Sequence, residues 1–381
     1  MKRLALVGAA LAALVANPAL AKRLTDCPMR DMPFSSASPL IDIILSPAAT
    51  AAVESVQPGM IRNMPSFFAS KTPPSFAAIL TMREAAGLGA RLAPDPSKVV
   101  TPDMARFDAA LAGVPVTDAD RIARCARYDT VSPRFARAAP GRPRVLLFEK
   151  INGFKDVPSV NGAHAAFVAM AQRKGWALAI SDQGSAFNPD VLRRFDAVIW
   201  NNISGDVLTL GQRASFRRWM ERGGGFVGVH GTAGDPVYFW DWYVDTLLGA
   251  RFAGHPLNPQ FQTAKVSIDD KTHPAAQGLP SSWDMNDEWY SFKNNPRASG
   301  SRIIATLDET TYKPDGMGGQ NLRMGADHPI AWSRCIARGR MFYSAIGHRP
   351  ERYSDATYVK MLEQAVDWAA DRAGSDCKAA K

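Results

Sequence analysis

Between residues 22 and about 140 the apolar positions group into helix-like stretches, and few runs read as strands. The pattern predicts helices near Pro47–Val56, Pro74–Ala86 and Met104–Ala112. An arginine-rich helix is expected after Val116, with Thr117 as its N-cap, because a threonine hydroxyl can accept a free first-turn N–H. Ala138–Pro143, with two prolines and a glycine, reads as a linker. This region contains no repeat, and nothing in it attaches to chemistry.

From Arg144 the rhythm changes to strand, helix, strand. Val145–Phe148, Ala177–Ser181, Asp196–Trp200 and Gly225–His230 are short apolar runs suited to buried strands. Helices are expected at Gly162–Lys174 and Thr209–Arg222, and the short segment Pro189–Arg194 leads into the third strand. Later strands are expected at Lys265–Ile268, Ile303–Thr306, Ile330–Cys335 and Met341–Ser344, before a closing helix over Ala356–Arg372. The alternation implies an α/β class: a mostly parallel sheet with helices on both faces, preceded by a small, mainly helical N-terminal region. In such sheets ligands bind at the carboxyl ends of the strands.

The first residues bear on compartment. Lys2 and Arg3 precede the apolar run Leu4–Val15, and Ala19-Leu20-Ala21 has the small-x-small pattern of a signal-peptidase site. Residues 1–21 are therefore expected to be a signal peptide, leaving a periplasmic or secreted protein. Crossing a bilayer takes roughly 20 apolar residues, so the run is too short for an anchor, and no stable membrane span is expected later. Composition, 46% apolar, is that of a globular chain. The net charge of +9 is scattered over arginines such as Arg121, Arg124 and Arg127. No basic helix interleaved with aromatics occurs, so a nucleic-acid partner is not expected. The four cysteines form no CxxC pair. Of three possible pairings, chain order suggests Cys27 with Cys125 and Cys335 with Cys377.

Chemistry concentrates at predicted strand ends. Gly223–Gly231 places His230 on a Gly-flanked turn after a strand, where hydrolases and amidotransferases carry a nucleophile. A capping histidine would look the same. His255 precedes Pro256 and is held extended, Asp287 and Glu288 stand beside Trp289 and Tyr290, and His348 ends a further strand at a Gly-His turn.

These blocks carry a family resemblance. Gly225–His230, Gly254-His255-Pro256, Asp287–Tyr290 and Gly339–His348 resemble the signature blocks of ThuA-like (trehalose-utilisation) domains. Thr272-His273-Pro274 with Gly278-Leu279-Pro280, and Pro329–Trp332, follow in family order. The resemblance implies a class I glutamine amidotransferase-like, flavodoxin-like domain over 144–372, a tail over 373–381, and an association with sugar metabolism. Residues 22–140 inherit nothing from it. His230 stands where an amidotransferase has its thiol, and imidazole cannot sustain thioester chemistry, so cysteine-dependent glutaminase activity is not expected.

Two chemistries stay open on this reading. His230, His255, Glu288 and His348 could bind a divalent metal, since imidazole and carboxylate suit zinc, iron, nickel or manganese. Alternatively His230, Glu288 and His348 act in acid–base roles with no metal. His255, Asp287, Trp289, Tyr290 and Trp240 are the candidate substrate contacts, with Trp242 and Tyr243 close by, because aromatic faces beside polar groups suit sugar rings. A carbohydrate-derived small molecule is the expected partner. The protein then acts as a hydrolase, lyase or isomerase, or else as a non-catalytic sugar-binding or envelope-complex module.

Overall fold

A computed structural model of the protein describes residues 25–92, 102–136, 141–371 and Cys377. The expected signal peptide, the first half of the expected linker and the C-terminal tail apart from Cys377 lie outside the described residues. The N-terminal region contains α1 (Leu40–Leu45), α2 (Pro47–Val56), α3 (Ser66–Ala69), α4 (Met82–Leu92), α5 (Met104–Ala112) and α6 (Asp118–Cys125). Thr117 caps α6 in a capping box, its hydroxyl accepting from the Asp120 N–H and Asp120 answering to the Thr117 N–H. The expected helix over Pro74–Ala86 is broken in two. Leu80 gives its carbonyl to the Leu40 N–H, which draws the chain out of helix between a short turn at Phe76–Ala78 and the start of α4. Phe34, Leu40, Ile43, Val53, Phe107 and Leu111 are buried together in a core of this region's own.

The α/β region follows as β1 (Arg144–Phe148), α7 (Val157–Lys174), β2 (Ala177–Ser181), α8 (Pro189–Leu192), β3 (Ala197–Asn201), α9 (Leu210–Glu221) and β4 (Gly225–Val229). Next come β5 (Phe252–Gly254), β6 (Phe261–Ile268), β7 (Ser282–Glu288), β8 (Ser291–Phe292), β9 (Arg302–Asp308), β10 (His328–Ile336), β11 (Gly339–Ser344) and α10 (Ala356–Ala370). Helix α7 starts five residues earlier than expected because Asp156 caps it and Pro158 fits its first turn.

The large sheet runs β2-β1-β3-β4-β11-β10-β9-β6-β7. From β2 to β11 every pairing is parallel, as the alternation predicted, and the order is the flavodoxin-like one that the family resemblance implied. Beyond β11 the sheet continues as an antiparallel wing. Successive residues of β4 show both coats. Phe226 packs against Phe216 of α9, whereas Gly225 faces α10 so closely that a Cβ there would lie 2.2 Å from the Ala369 carbonyl oxygen.

Both expected cysteine pairings occur, with Cα atoms 5.4 Å apart for Cys27–Cys125 and 5.3 Å for Cys335–Cys377. Two disulfides and no free cysteine among the described residues suit an oxidising, extracellular-type compartment. No helix among the described residues is long and apolar enough to cross a membrane. The N-terminal region is joined to the sheet domain by polar contacts. Tyr128 donates to Asp206, which also pairs with Arg213 of α9, and Asp206 gives its carbonyl to Asn152.

Candidate functional site

The strand directions set up the site. Strands β4 and β11 are parallel, and the alternation through β10, β9 and β6 returns β7 to the same direction. His230, Glu288 and His348 therefore all sit at one edge. In a flat sheet, four spacings of about 4.8 Å would hold β7 roughly 19 Å from β11. Yet His348 Nδ1 lies 3.1 Å from Glu288 Oε2, so the wing curls back over the edge.

His230 follows β4 with φ of +37°, a conformation that costs a non-glycine residue about 1–3 kcal/mol. Its surroundings hold it there. Tyr343 donates its hydroxyl to the His230 carbonyl (2.8 Å), and Nδ1 faces the Ala345 carbonyl at 2.8 Å. Nδ1 must be the donor in that contact, because a carbonyl only accepts. In the neutral ring this leaves the Nε2 lone pair pointing inward, 3.2 Å from His348 Nδ1 and 3.4 Å from Glu288 Oε2. Tyr290 stacks on the ring with centroids 4.3 Å apart.

His348 stands on a Gly-His turn whose Gly347 has φ of +129°, accessible to glycine and few others. Asp287 fixes this turn by accepting the N–H groups of Gly347 (2.7 Å) and Arg349 (3.0 Å). The outer Nε2 of His348 faces Asp156 at 3.7 Å. Burial opposes charge on His348, but the hydrogen bond and charge of Glu288, with Asp156 and Asp287 beyond, raise its pKa above the ordinary value. The adjacent acids move in opposite directions. Burial dominates at Asp287 and raises it, against the charge of His230 and the backbone donors. Burial also opposes ionisation of Glu288, but His255, His230 and His348 outweigh it and hold the carboxyl well below its usual range.

Nδ1 of His230's neighbour His255 lies 3.1 Å from the other carboxylate oxygen of Glu288 and 2.8 Å from the Pro256 carbonyl. Ligating atoms of His230, Glu288 and His348 all fall within 4.8 Å of one another, a spacing that can hold a cation. His255 stays outside that trio.

These side chains floor a cavity of about 410 Å³. Tyr290, Gln260, Asn202 and Asp235 share the floor, and Gln260 donates to Glu288. The opposite wall comes from the N-terminal region through Phe67, Phe68 and Phe76, extended by Phe154 after β1. A region whose sequence carries no chemical motif thus completes the cleft.

Three expected substrate contacts need correction. Asp287 turns away from the cavity onto the His348 turn. Trp289 is fully buried and donates its indole N–H to the Gln262 carbonyl (2.8 Å), because the strand pleat turns it away from the face Glu288 uses. Trp240 packs on the Arg213 guanidinium, 5.0 Å from its ring centre, outside this cavity. Trp242 packs at a tilt against Trp240, and Tyr243 is a core residue donating to the Thr232 carbonyl.

Asn202 and Asp235 were not anticipated. Asn201 ends the buried strand β3 and Asn202 directly follows it, a position that the strand-end rule marks. Asn202 accepts the Gly231 N–H at 3.1 Å and so steadies the His230 turn. Asp235 accepts from Ser204 (2.5 Å) and from the Gly205 N–H (2.7 Å), and burial pushes its carboxyl up to about 7 against those two donors.

A flavodoxin-like sheet with an imidazole–carboxylate cluster at its carboxyl edge, and no cysteine among the described residues lining the cleft, defines the class of this α/β protein. The chain belongs to the trehalose-utilisation (ThuA) family, whose family model matches residues 144–369. It is similar to a protein of Bacteroides uniformis described as ThuA-like, with 26% identity and a TM-score of 0.52, over 62% of this chain and 95% of that one. A ThuA-like protein of Parabacteroides merdae is 17% identical over 60% of this chain and 90% of that one, with a TM-score of 0.47. No curated protein matches.

Proposed function

We propose that the protein is exported by residues 1–21 and acts on a carbohydrate-derived small molecule in this cleft. His230, Glu288 and His348 are the working groups of residues 144–372, and the reaction is of hydrolase, lyase or isomerase type. The family's trehalose-utilisation description supports the sugar. One observation carries the reading: three ligating atoms converge within 4.8 Å, on the floor of a cavity large enough for a small molecule.

The residues fit a divalent cation. Each imidazole turns one nitrogen inward while its other nitrogen faces an acceptor, the Ala345 carbonyl or Asp156. That is the outer support ligating histidines have, and two histidines with one carboxylate leave coordination positions free for water or substrate. A bound cation would act as a Lewis acid on a substrate oxygen. The chain's own groups do the rest. Tyr290 and Asn202 orient the substrate, Gln260 and His255 hold Glu288, and Asp235 is placed to hold or give a proton at a carboxyl oxygen.

The test is a turnover screen of mono- and disaccharides and simple glycosides, with and without a chelator, comparing wild type with His230→Ala. Activity in wild type, lost on chelation and in the folded variant, is expected. Binding without turnover would point to a sugar-binding module, and full activity in His230→Ala would contradict the proposal.

A further inference from the structure

The two sides of the cleft differ in what they can recognise. The floor concentrates the hydrogen-bonding groups, although Phe252 and Leu257 also line it. The wall offers phenylalanine, with Ile79, Leu80 and Leu88 behind it. Phe67, Phe76 and Phe154 form one ring cluster, with centroids 4.6 Å apart for Phe67–Phe76 and 5.1 Å for Phe76–Phe154. Phe67 is 55% exposed and Phe154 36% exposed, so the cluster leaves ring surface open beside the cavity. Its charged neighbours, Glu84 and Arg91, both come from α4, and Glu84 accepts a hydrogen bond from the Thr81 hydroxyl.

A free sugar carries hydroxyls around its whole rim. A sugar can lay its C–H face on an aromatic ring, but hydroxyls pressed edge-on into a wall of phenylalanines would lose water and gain no partner, which costs free energy for each group buried. An apolar ring placed there would instead cover exposed aromatic surface without burying a hydroxyl. The wall is also positioned. Ser204 accepts the Phe154 N–H (2.9 Å) while donating to Asp235, so the floor acid and the wall ring share one serine.

We infer that the cleft is a two-part site: the floor takes a sugar, and the phenylalanine wall takes a ring-sized apolar group attached to it. The substrate class is then an aryl or similarly apolar glycoside. This rests on the cleft's being the working site, but its test does not depend on turnover.

The test is binding by isothermal titration of matched probes, phenyl and methyl glycosides of glucose, galactose and mannose. For at least one sugar the phenyl probe should bind about tenfold more tightly than the methyl one, as burying a ring's apolar surface predicts. Phe67→Ala and Phe154→Ala, both at exposed positions, should bring that ratio towards one with melting temperature and circular dichroism unchanged. Equal affinity for each matched pair, no binding of any phenyl probe, or a ratio unchanged in both variants would overturn the inference. A phenyl preference that survives while His230→Ala keeps full turnover would leave the wall assigned and remove the floor's proposed chemistry. Loss of the preference with turnover intact does the reverse.

Discussion

The floor and the wall of one cleft are built on opposite plans. On the floor, His230, Glu288 and His348 stand at or shortly past strand ends and each is held by a second residue: His230 by the Ala345 carbonyl, His348 by the Asp287-fixed turn, Glu288 by Gln260. The wall rests on short elements, a four-residue helix at Ser66–Ala69 and a three-residue turn at Phe76–Ala78, and its rings stay partly in solvent. The floor is pre-organised, with positive φ and buried charge maintained by its surroundings. The wall is held by ring packing and a few hydrogen bonds to its backbone, such as Phe154 N–H to Ser204, with no polar contact fixing the rings themselves. Rigid polar geometry suits bond-making chemistry, and an adaptable apolar face suits selection among substrates.

Four expected outcomes would sharpen or break that contrast. Glu288→Gln should have the largest effect, lowering turnover about 10²–10⁴-fold, the range for loss of an acid–base group, with folding retained by circular dichroism. Next is the anchor of the wall's region. Replacing Cys27 and Cys125 by alanine opens a link across 98 residues, which should destabilise the protein by about 4 kcal/mol in urea unfolding.

The third outcome concerns Asp235, which joins floor to wall. Its folded pKa of about 7 lies above its unfolded value, so the folded state holds the extra proton. Its contribution to stability should fall as pH rises from about 4 to about 7 and level off above, by about 1.4 kcal/mol for each pH unit crossed in that window. Asp235→Asn should flatten that decline when melting is followed from pH 4 to 8. An unchanged slope would mean the carboxyl is not held protonated. Smallest is Phe67→Ala, expected to change stability by under about 0.5 kcal/mol because the ring is already half exposed.

The same contrast explains what could be read from the chain. The buried parallel strands announce themselves as apolar runs, and Gly-flanked histidines at their ends mark His230 and His348. Strand β7 does not. Ser282–Glu288 is an edge strand of mostly polar residues, with neither an apolar run nor clean alternation. Without that strand, nothing in the sequence decides which of Asp287 and Glu288 faces inward, and the pleat that buries Trp289 is equally hidden. The wall was illegible for a different reason. Phe67, Phe68 and Phe76 read as ordinary apolar positions, and only the docking of their region on the sheet edge, through Tyr128, Asp206 and Arg213, makes them line a cleft.

The central claim, that His230, Glu288 and His348 form one chemical centre able to hold a cation, is tested most directly by metal stoichiometry. Elemental analysis of wild type and His230→Ala, purified side by side and dialysed against a trace divalent-metal mixture, measures it. About one divalent ion per chain in wild type, and a loss of most of it in the folded variant, is the predicted result, since removing one of three ligands leaves too few. No ion above background in wild type, or equal occupancy in the two proteins, would contradict it.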